Sequence, residues 1–471
     1  MLNPADAPFA ETLEAAGIAV EYAAQSYLEE PRHLYHGAPT FVARPTSTKQ
    51  VATVVKAANA ARVGIVPYGG GTGLVSGQIA PDSPVPLILS LEKMTAIRAI
   101  HAAESTLVAE AGAIVADVQA AAEAENRLFP LSYGAEGTAR IGGALSVNSG
   151  GLNVLRYGMA RNLCLGIEAV LPDGQVLHGL KRLRKDNTGY DLRHLLIGAE
   201  GTLGVITAAA LALSPRPAAR ATAFISVASP EAALSLLSLI RDEVGEAVEA
   251  FEFFSDAAFT FLTEAFPDLR QPFDAVPQWA VLTEFGMGPG SDPDAAMMRV
   301  FEKALEMDLA TDGAIAQNEQ QRADFWRLRE AVPEANRKIG AIASHDISLP
   351  LSEIPAIYEE GTKAIQAVVP CRINAFGHMG DGNIHFNAFP PKGENRDDYR
   401  KHAPAITRAL HDLVFAKGGS FSAEHGLGRA KVGELERYGD PTKLAAMRAI
   451  KAALDPKGIM NPGAVLAPRD I

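Results

Sequence analysis

"PYGGGTGLVSG", at residues 67–77, follows the short apolar run "VGIVP" and sets five glycines and a threonine directly after it. A strand that feeds such a loop presents successive backbone N–H groups with no side chain in the way, which makes a cradle for an anion. No Gly-Lys-Ser/Thr follows, so it is not a P-loop. It is also a poor dinucleotide fingerprint. After Gly71 and Gly73 the third position is Ser76, and "LVSGQIAPDSP" does not open a helix. Taken alone, the loop reads equally well as a flexible surface turn.

Working outward changes that balance. Upstream, "RPTSTKQVATVVKAANAARVGIVP" gives a capping-box-like Ser47 with Gln50 three residues on, an amphipathic helix, and the strand before the loop. Downstream, "PLILSLEKM" and "STLVAEAGAIVADVQAAAEAE" repeat strand and strand-then-helix, so roughly the first two hundred residues read as α/β or α+β. A second small-residue segment, "EGTARIGGALSVNSGGLNVLRYG" from Glu136, concentrates Gly142, Gly143, Ser146, Asn148, Ser149, Gly150 and Gly151. A third, "DNTGYDLRHLLIGAEGTLGVIT" from Asp186, is an apolar run interrupted by glycine. Three bare-backbone segments suit a large, flat, phosphorylated cofactor that needs close approach along its whole length.

The 471 residues are too many for one ordinary core and predict two or three domains. A net charge of −12, with no dense basic cluster beyond the "LKRLRK" at residues 180–185, argues against nucleic acid; that run reads as a solvated turn. Two cysteines, Cys164 and Cys371, exclude a disulfide framework and a cysteine-built metal site, and both read as small core residues. The N-terminus has no basic-then-apolar leader, and no run approaches the roughly 20 apolar residues of a membrane span, so a cytoplasmic location is expected. "SPRPA", at residues 214–218, marks a domain boundary, and a second α+β unit follows. The tail is an amphipathic helix ending at Asp455-Pro456 and then an extended segment.

Together the three glycine segments resemble the FAD-binding domain of the vanillyl-alcohol oxidase and para-cresol methylhydroxylase (PCMH) flavoproteins, in the branch with an FAD-linked oxidase C-terminal domain. That branch includes D-lactate, glycolate and D-2-hydroxyglutarate dehydrogenases. The resemblance implies an α+β protein: a PCMH-type, two-subdomain FAD domain over residues 1–215, an α+β cap with antiparallel sheet over 216–420, and a segment 421–471 returning to the FAD domain. It implies that Gly69, Gly70, Gly71, Thr72 and Gly73 wrap the FAD pyrophosphate, with Gly77 at the loop's end. Gly137, Thr138, Gly142, Ser146, Asn148 and Ser149 would line the cofactor further along. Glu200, Gly201 and Ile206 would meet the adenosine or ribityl side, and Asn461 the flavin. Members with covalent FAD carry a histidine in or beside these loops; the first loop here reads Gly71-Thr72-Gly73, so noncovalent FAD is expected.

"GHMGDGNIH", at residues 377–385, sets two histidines seven apart, and they converge only if the chain turns between them. Gly380, Asp381, Gly382 and Asn383 permit that turn. "SAEHGLGRAK" follows about 40 residues later, adding Glu424 and His425. Two imidazoles and one carboxylate suit a divalent ion with open positions for substrate. Each histidine taken singly is equally a surface or core residue. The resemblance assigns His378, His385 and Glu424 to a metal, zinc or manganese, beside the flavin ring, and leaves His425 as the base.

The resemblance also assigns Arg329, in "LRE", to the substrate carboxylate. In members that oxidise D-2-hydroxyglutarate, a threonine four residues after that arginine and a lysine fifteen after it hold the distal carboxylate. Pro333 and Ser344 stand at these positions. The expectation is therefore a metal-assisted FAD dehydrogenase of a D-2-hydroxy acid without a second carboxylate, with D-2-hydroxyglutarate as the alternative. An electron-transfer flavoprotein or a quinone would take the electrons, a loose membrane association is compatible with that, and a homodimer stays open. The rivals are a non-redox alkylglycerone-phosphate synthase, which lacks both histidine motifs, a metal-dependent hydrolase, and a catalytically idle flavoprotein scaffold.

Overall fold

The computed structural model describes residues 1–467. The chain divides into two units. One is built from Met1–Gly150, Gly158–Pro215 and the chain from Glu424 onward, the other from Gly151–Tyr157 and Arg216–Ala423. The division at Pro215 and Arg216 lies where "SPRPA" was read as a break. The return falls at Glu424, not at 421, and Gly151–Tyr157 sits with the second unit.

The first unit holds two sheets. In one, the strands run in the order Val20–Tyr22, Phe41–Ala43, Leu87–Ser90, Ile65–Tyr68, antiparallel in the first pair and parallel in the others. Parallel neighbours need a crossover, and the helix Thr48–Ala61 belongs to it. Ser47 Oγ accepts the Gln50 N–H at 3.3 Å, while Gln50 Oε1 takes the N–H of Thr46 and not that of Ser47, so only half of the expected capping box forms. The helix buries Val51, Val54, Val55 and Ala58 in one cluster with Ile65, Leu87 and Leu89. The second sheet is antiparallel throughout, in the order Ile97–His101, Thr106–Glu110, Val205–Ala212, Cys164–Val170, Val176–Gly179. Its central strand reads "VITAAALA" without polar alternation because both of its faces are covered. The helix Pro441–Leu454 stops before Pro456, and the chain then adds beside Ile65, whose N–H bonds Ile459 O and whose carbonyl accepts from Asn461 N, both at 2.7 Å.

The second unit is one seven-stranded antiparallel sheet, in the order Ala310–Ile315, Ala219–Val227, Trp279–Met287, Val248–Ser255, Arg372–Gly377, Asn383–Phe389, Ala343–Ser348. Each face carries its own core. Leu236, Met297, Ile357 and Leu410 bring four helices against one face, where Phe251 and Phe253 point. Phe259, Leu328 and Val332 bring two helices against the other, with Phe254 and Phe376. The protein is therefore α+β, with a two-sheet first unit and an antiparallel second one. Residues 181–185 are exposed and outside helix and strand, and Cys164 and Cys371 are both buried.

Candidate functional site

The glycine loop leaves the strand Ile65–Tyr68 and turns at once. Gly71 has φ +72°, a conformation that L side chains rarely adopt, and a Cβ at Gly70 would fall on the carbonyl oxygen of Thr138. The absence of side chains thus lets Gly69 and Gly70 lie against the backbone of Thr138, Ala139 and Gly143, while a Cβ at Gly71 would meet the Tyr68 hydroxyl. The N–H groups of Gly70, Gly71, Thr72 and Gly73 have no acceptor among the described residues. A cleft of about 410 Å³ opens beside them, lined by Tyr68, Gly69, Gly70, Thr138 and Arg140 among others. Donors without acceptors on a bare turn next to a cleft fit a pyrophosphate, so this chain's residues fit FAD.

Further along, the helix Ile141–Val147 ends on Asn148 in the left-handed conformation, and Asn148 Oδ1 accepts the Arg161 N–H at 2.9 Å. Gly137 and Thr138 are exposed, Ser146 and Ser149 half-buried, and Ile206 is buried in the central strand. Two residues expected at the cofactor have side chains bonded within the protein. Glu200 Oε1 and Oε2 accept the Leu427 and Gly428 N–H groups, each at 2.7 Å. Asn461 Nδ2 donates to Glu200 O at 2.7 Å and to Gly77 O at 3.0 Å. Arg429, which sequence reasoning passed over, donates to Ser76 O, Gly77 O, Asn461 Oδ1 and Pro462 O at 2.7 to 3.1 Å. The end of the glycine loop, Glu200, the tail and the turn after His425 are one network. Burial raises the Glu200 carboxyl above the ordinary carboxylate range, outweighing the two N–H bonds and the charges of Lys431 and Arg429.

In the second unit, "GHMGDGNIH" is a hairpin between the strands Arg372–Gly377 and Asn383–Phe389, with Gly382 at φ +87°. The turn that the sequence required is present, and the two imidazoles converge, their ring centroids 5.5 Å apart at 78°. His378 Nδ1 is 2.5 Å from Glu252 Oε1, and Arg329 Nε is 2.5 Å from Glu252 Oε2. Burial would raise the Glu252 carboxyl, but Arg329 and His378 hold it down at about 2. The Arg329 guanidinium lies over Phe376 at 5.2 Å, and Phe376 meets the His385 ring at 5.2 Å. Asp346 pairs with His385 across the strands, its Oδ1 3.9 Å from Nδ1 and accepting Asn383 Nδ2 at 2.9 Å. A carboxylate bonded to Nδ1, as Glu252 is at His378, is what a metal-ligating histidine requires, and Asp346 and His385 are among the described side chains whose ligand atoms lie close enough to share a divalent ion, so these residues fit one. The strand edge continues through Ser420, which pairs with Ser348, to Ala423, whose N–H bonds Asp346 O at 3.2 Å. Glu424 is the next residue. In the first unit, His425 Nε2 is 3.6 Å from Glu424 Oε1, and Gly426 follows at φ +79° against Glu200.

Sequence reasoning missed Arg429, Glu252 and Asp346. Only Asp346 carried a signal, since it stands two residues after Ser344 in a strand-like run.

A two-sheet, glycine-cradled unit with a separate antiparallel unit defines a class of flavoprotein. The FAD binding domain family matches residues 39–179, and the family of FAD linked oxidases, C-terminal domain, matches residues 216–465. The chain belongs to the FAD-linked oxidases. It is 35% identical over 435 residues to the mitochondrial D-2-hydroxyglutarate dehydrogenase of Arabidopsis thaliana, covering 92% of this chain and 76% of that one. It is 34% identical over 433 residues to the D-2-hydroxyglutarate dehydrogenase of Xanthomonas citri pv. viticola, covering 92% and 90%. The solved structure of p-cresol methylhydroxylase with substrate bound shares the fold at a TM-score of 0.72 and 18% identity, covering 91% of this chain and 89% of that one. The expected flavoprotein fold and family are borne out. Among the described residues no helix is long and apolar enough to cross a membrane.

Proposed function

We propose that this FAD-linked enzyme is a metal-assisted dehydrogenase that oxidises a D-2-hydroxy acid to the 2-oxo acid. The observation that carries the reading is the convergence of His378, bonded to the buried Glu252 carboxylate, and His385, with Asp346 3.9 Å away, on the hairpin that the family resemblance assigns to a metal. Bound FAD supplies a hydride acceptor at N5, and a bound divalent ion supplies a Lewis acid for the hydroxyl and carboxylate oxygens of the substrate. His378, His385 and Glu424 would hold the ion, Arg329 would pair with the substrate carboxylate, and His425 would take the hydroxyl proton.

The relatives' printed substrate, D-2-hydroxyglutarate, has a second carboxylate, and we propose a substrate without one. Strand alternation places Ser344 on the same face as Asp346, and Asn387 on the same face as His385. The cross-strand row of Ser344, Asn387 and Asn374 carries no charge, and Pro333 offers neither a hydroxyl nor an N–H. D-2-hydroxyglutarate is the second reading, favoured by the two relatives. An electron-transfer flavoprotein or quinone as acceptor and a cytoplasmic location rest on the resemblance and the sequence.

The test is anaerobic flavin reduction across D-lactate, glycolate, D-malate, D-2-hydroxyglutarate and longer D-2-hydroxy acids, with and without a chelator. Bleaching by a monocarboxylic acid that slows once the metal is stripped is the expected result. Strongest bleaching by D-2-hydroxyglutarate would select the second reading, and an unchanged rate in metal-free protein would remove the metal.

A further inference from the structure

Glu252 stands in the strand Val248–Ser255, between Phe251 and Phe253 on one face and beside Phe254 on the other. It is 1% exposed, and a carboxylate taken so far from water persists only when its oxygens are matched by donors or cations. Each oxygen has one: Oε1 meets His378 Nδ1 and Oε2 meets Arg329 Nε, both at 2.5 Å. These are the residues proposed to hold the metal and the substrate carboxylate. They come from a hairpin and from the helix Glu319–Ile339, which are far apart in sequence.

We propose that Glu252 is a positioning residue that fixes the metal-ligating imidazole and the carboxylate-binding guanidinium together. On the histidine side, a carboxylate at Nδ1 selects the tautomer with its proton there. Nε2 then carries the lone pair for a metal, and the ring becomes more basic. On the arginine side, a bond to Nε fixes the plane of the guanidinium and presents its terminal nitrogens as the edge for a two-point carboxylate contact. The Phe376 ring beneath that plane, and its contact with His385, restrain the same set from below. One side chain thus sets two binding events, and loosening it weakens both at once.

This inference rests on the metal reading above. It is tested by Glu252→Gln in the FAD-loaded full chain, with zinc affinity measured by competition against a chromophoric chelator. KM and kcat are measured with whichever D-2-hydroxy acid bleaches the wild-type flavin. The expected result is zinc affinity lower by about 10- to 100-fold with a raised KM and unchanged flavin content. In zinc-free wild type, ¹⁵N chemical shifts of His378 should report the proton on Nδ1, and a proton on Nε2 alone would overturn the histidine half. Glu252→Gln leaves a buried guanidinium without its counter-ion and is at risk of misfolding. The pair Arg329→Gln and Glu252→Gln/Arg329→Gln removes that charge, and the double variant should bind zinc more weakly than Arg329→Gln by the same factor.

Unchanged zinc affinity in Glu252→Gln, or no difference within that pair, overturns the role of Glu252 while leaving the metal reading in place. Weakened zinc binding with unchanged KM overturns the Arg329 half. Wild-type protein that takes up neither zinc nor manganese overturns the metal reading itself, and is told apart because it appears without any substitution.

Discussion

His425 stands at the head of a turn that is held from below: Glu200 accepts the Leu427 and Gly428 N–H groups, and Gly426 takes the left-handed conformation that lets the chain pass over that carboxylate. A base for proton abstraction needs such a fixed mount. His425→Ala should lower kcat by on the order of 100-fold or more while FAD stays bound, measured by steady-state turnover and flavin absorbance, and near-normal turnover would exclude His425 from the chemistry. The cysteines give the opposite case. Burial pushes the thiols up, to about 12 for Cys164 and about 11 for Cys371, so both are protonated near neutral pH. Neither should react with a thiol reagent at pH 8 until the protein is unfolded; rapid labelling of the folded enzyme would contradict their burial. Residues of these kinds differ in how far a sequence reveals them. The histidines were legible because they are rare, spaced around a turn and followed by a carboxylate. Glu252 was not, because a glutamate within "VEAFEFFS" reads as the polar side of an alternating strand, and only the packed helix shows that both faces are covered.

Between elements, the bond set of Glu200, Arg429 and Asn461 ties the end of the glycine loop to the tail and to the turn after His425. The resemblance could assign Glu200 and Asn461 to the cofactor's neighbourhood, yet it could not say that their side chains are bonded to protein, because that depends on three segments far apart in sequence. The buried carboxyl has a measurable consequence. Its folded-state pKa is raised by burial, so above the ordinary carboxylate range the folded chain keeps a proton that the unfolded chain has lost. The stability contributed by Glu200 is therefore present at the acid side and declines as pH rises through the raised value. Lys431 and Arg429 oppose this shift and are outweighed. Glu200→Gln removes the titration while keeping one acceptor. Urea midpoints from pH 4.5 to 8 should show the wild-type advantage shrinking with rising pH, and a gap that widens with pH would reverse the sign of the argument.

Across the whole molecule, the α+β class and the flavoprotein character were legible because three separate bare-backbone segments point to one large ligand. The placement of Gly151–Tyr157 in the second unit was not, since "GLNVLRY" continues the small-residue run without a break. The return of the chain at Glu424 has the larger consequence. Ile459 and Met460 are fully buried with Val51, Val55 and Leu87, and the tail bonds both sides of Ile65, in the strand that feeds the glycine loop. Arg429 and Asn461 then hold Gly77 at the loop's other end. The loop is thus braced at both ends by residues that come more than 350 positions later, as Arg429 to Gly77 alone shows. Deleting residues 424–471 keeps every glycine expected at the pyrophosphate and removes both braces. Such a chain should lose FAD on desalting, read as loss of flavin absorbance, and the first unit should melt at lower temperature. Stoichiometric FAD in the truncated chain would show that the glycine loop holds its shape without the tail, and that the network around Arg429 serves the turn after His425 alone.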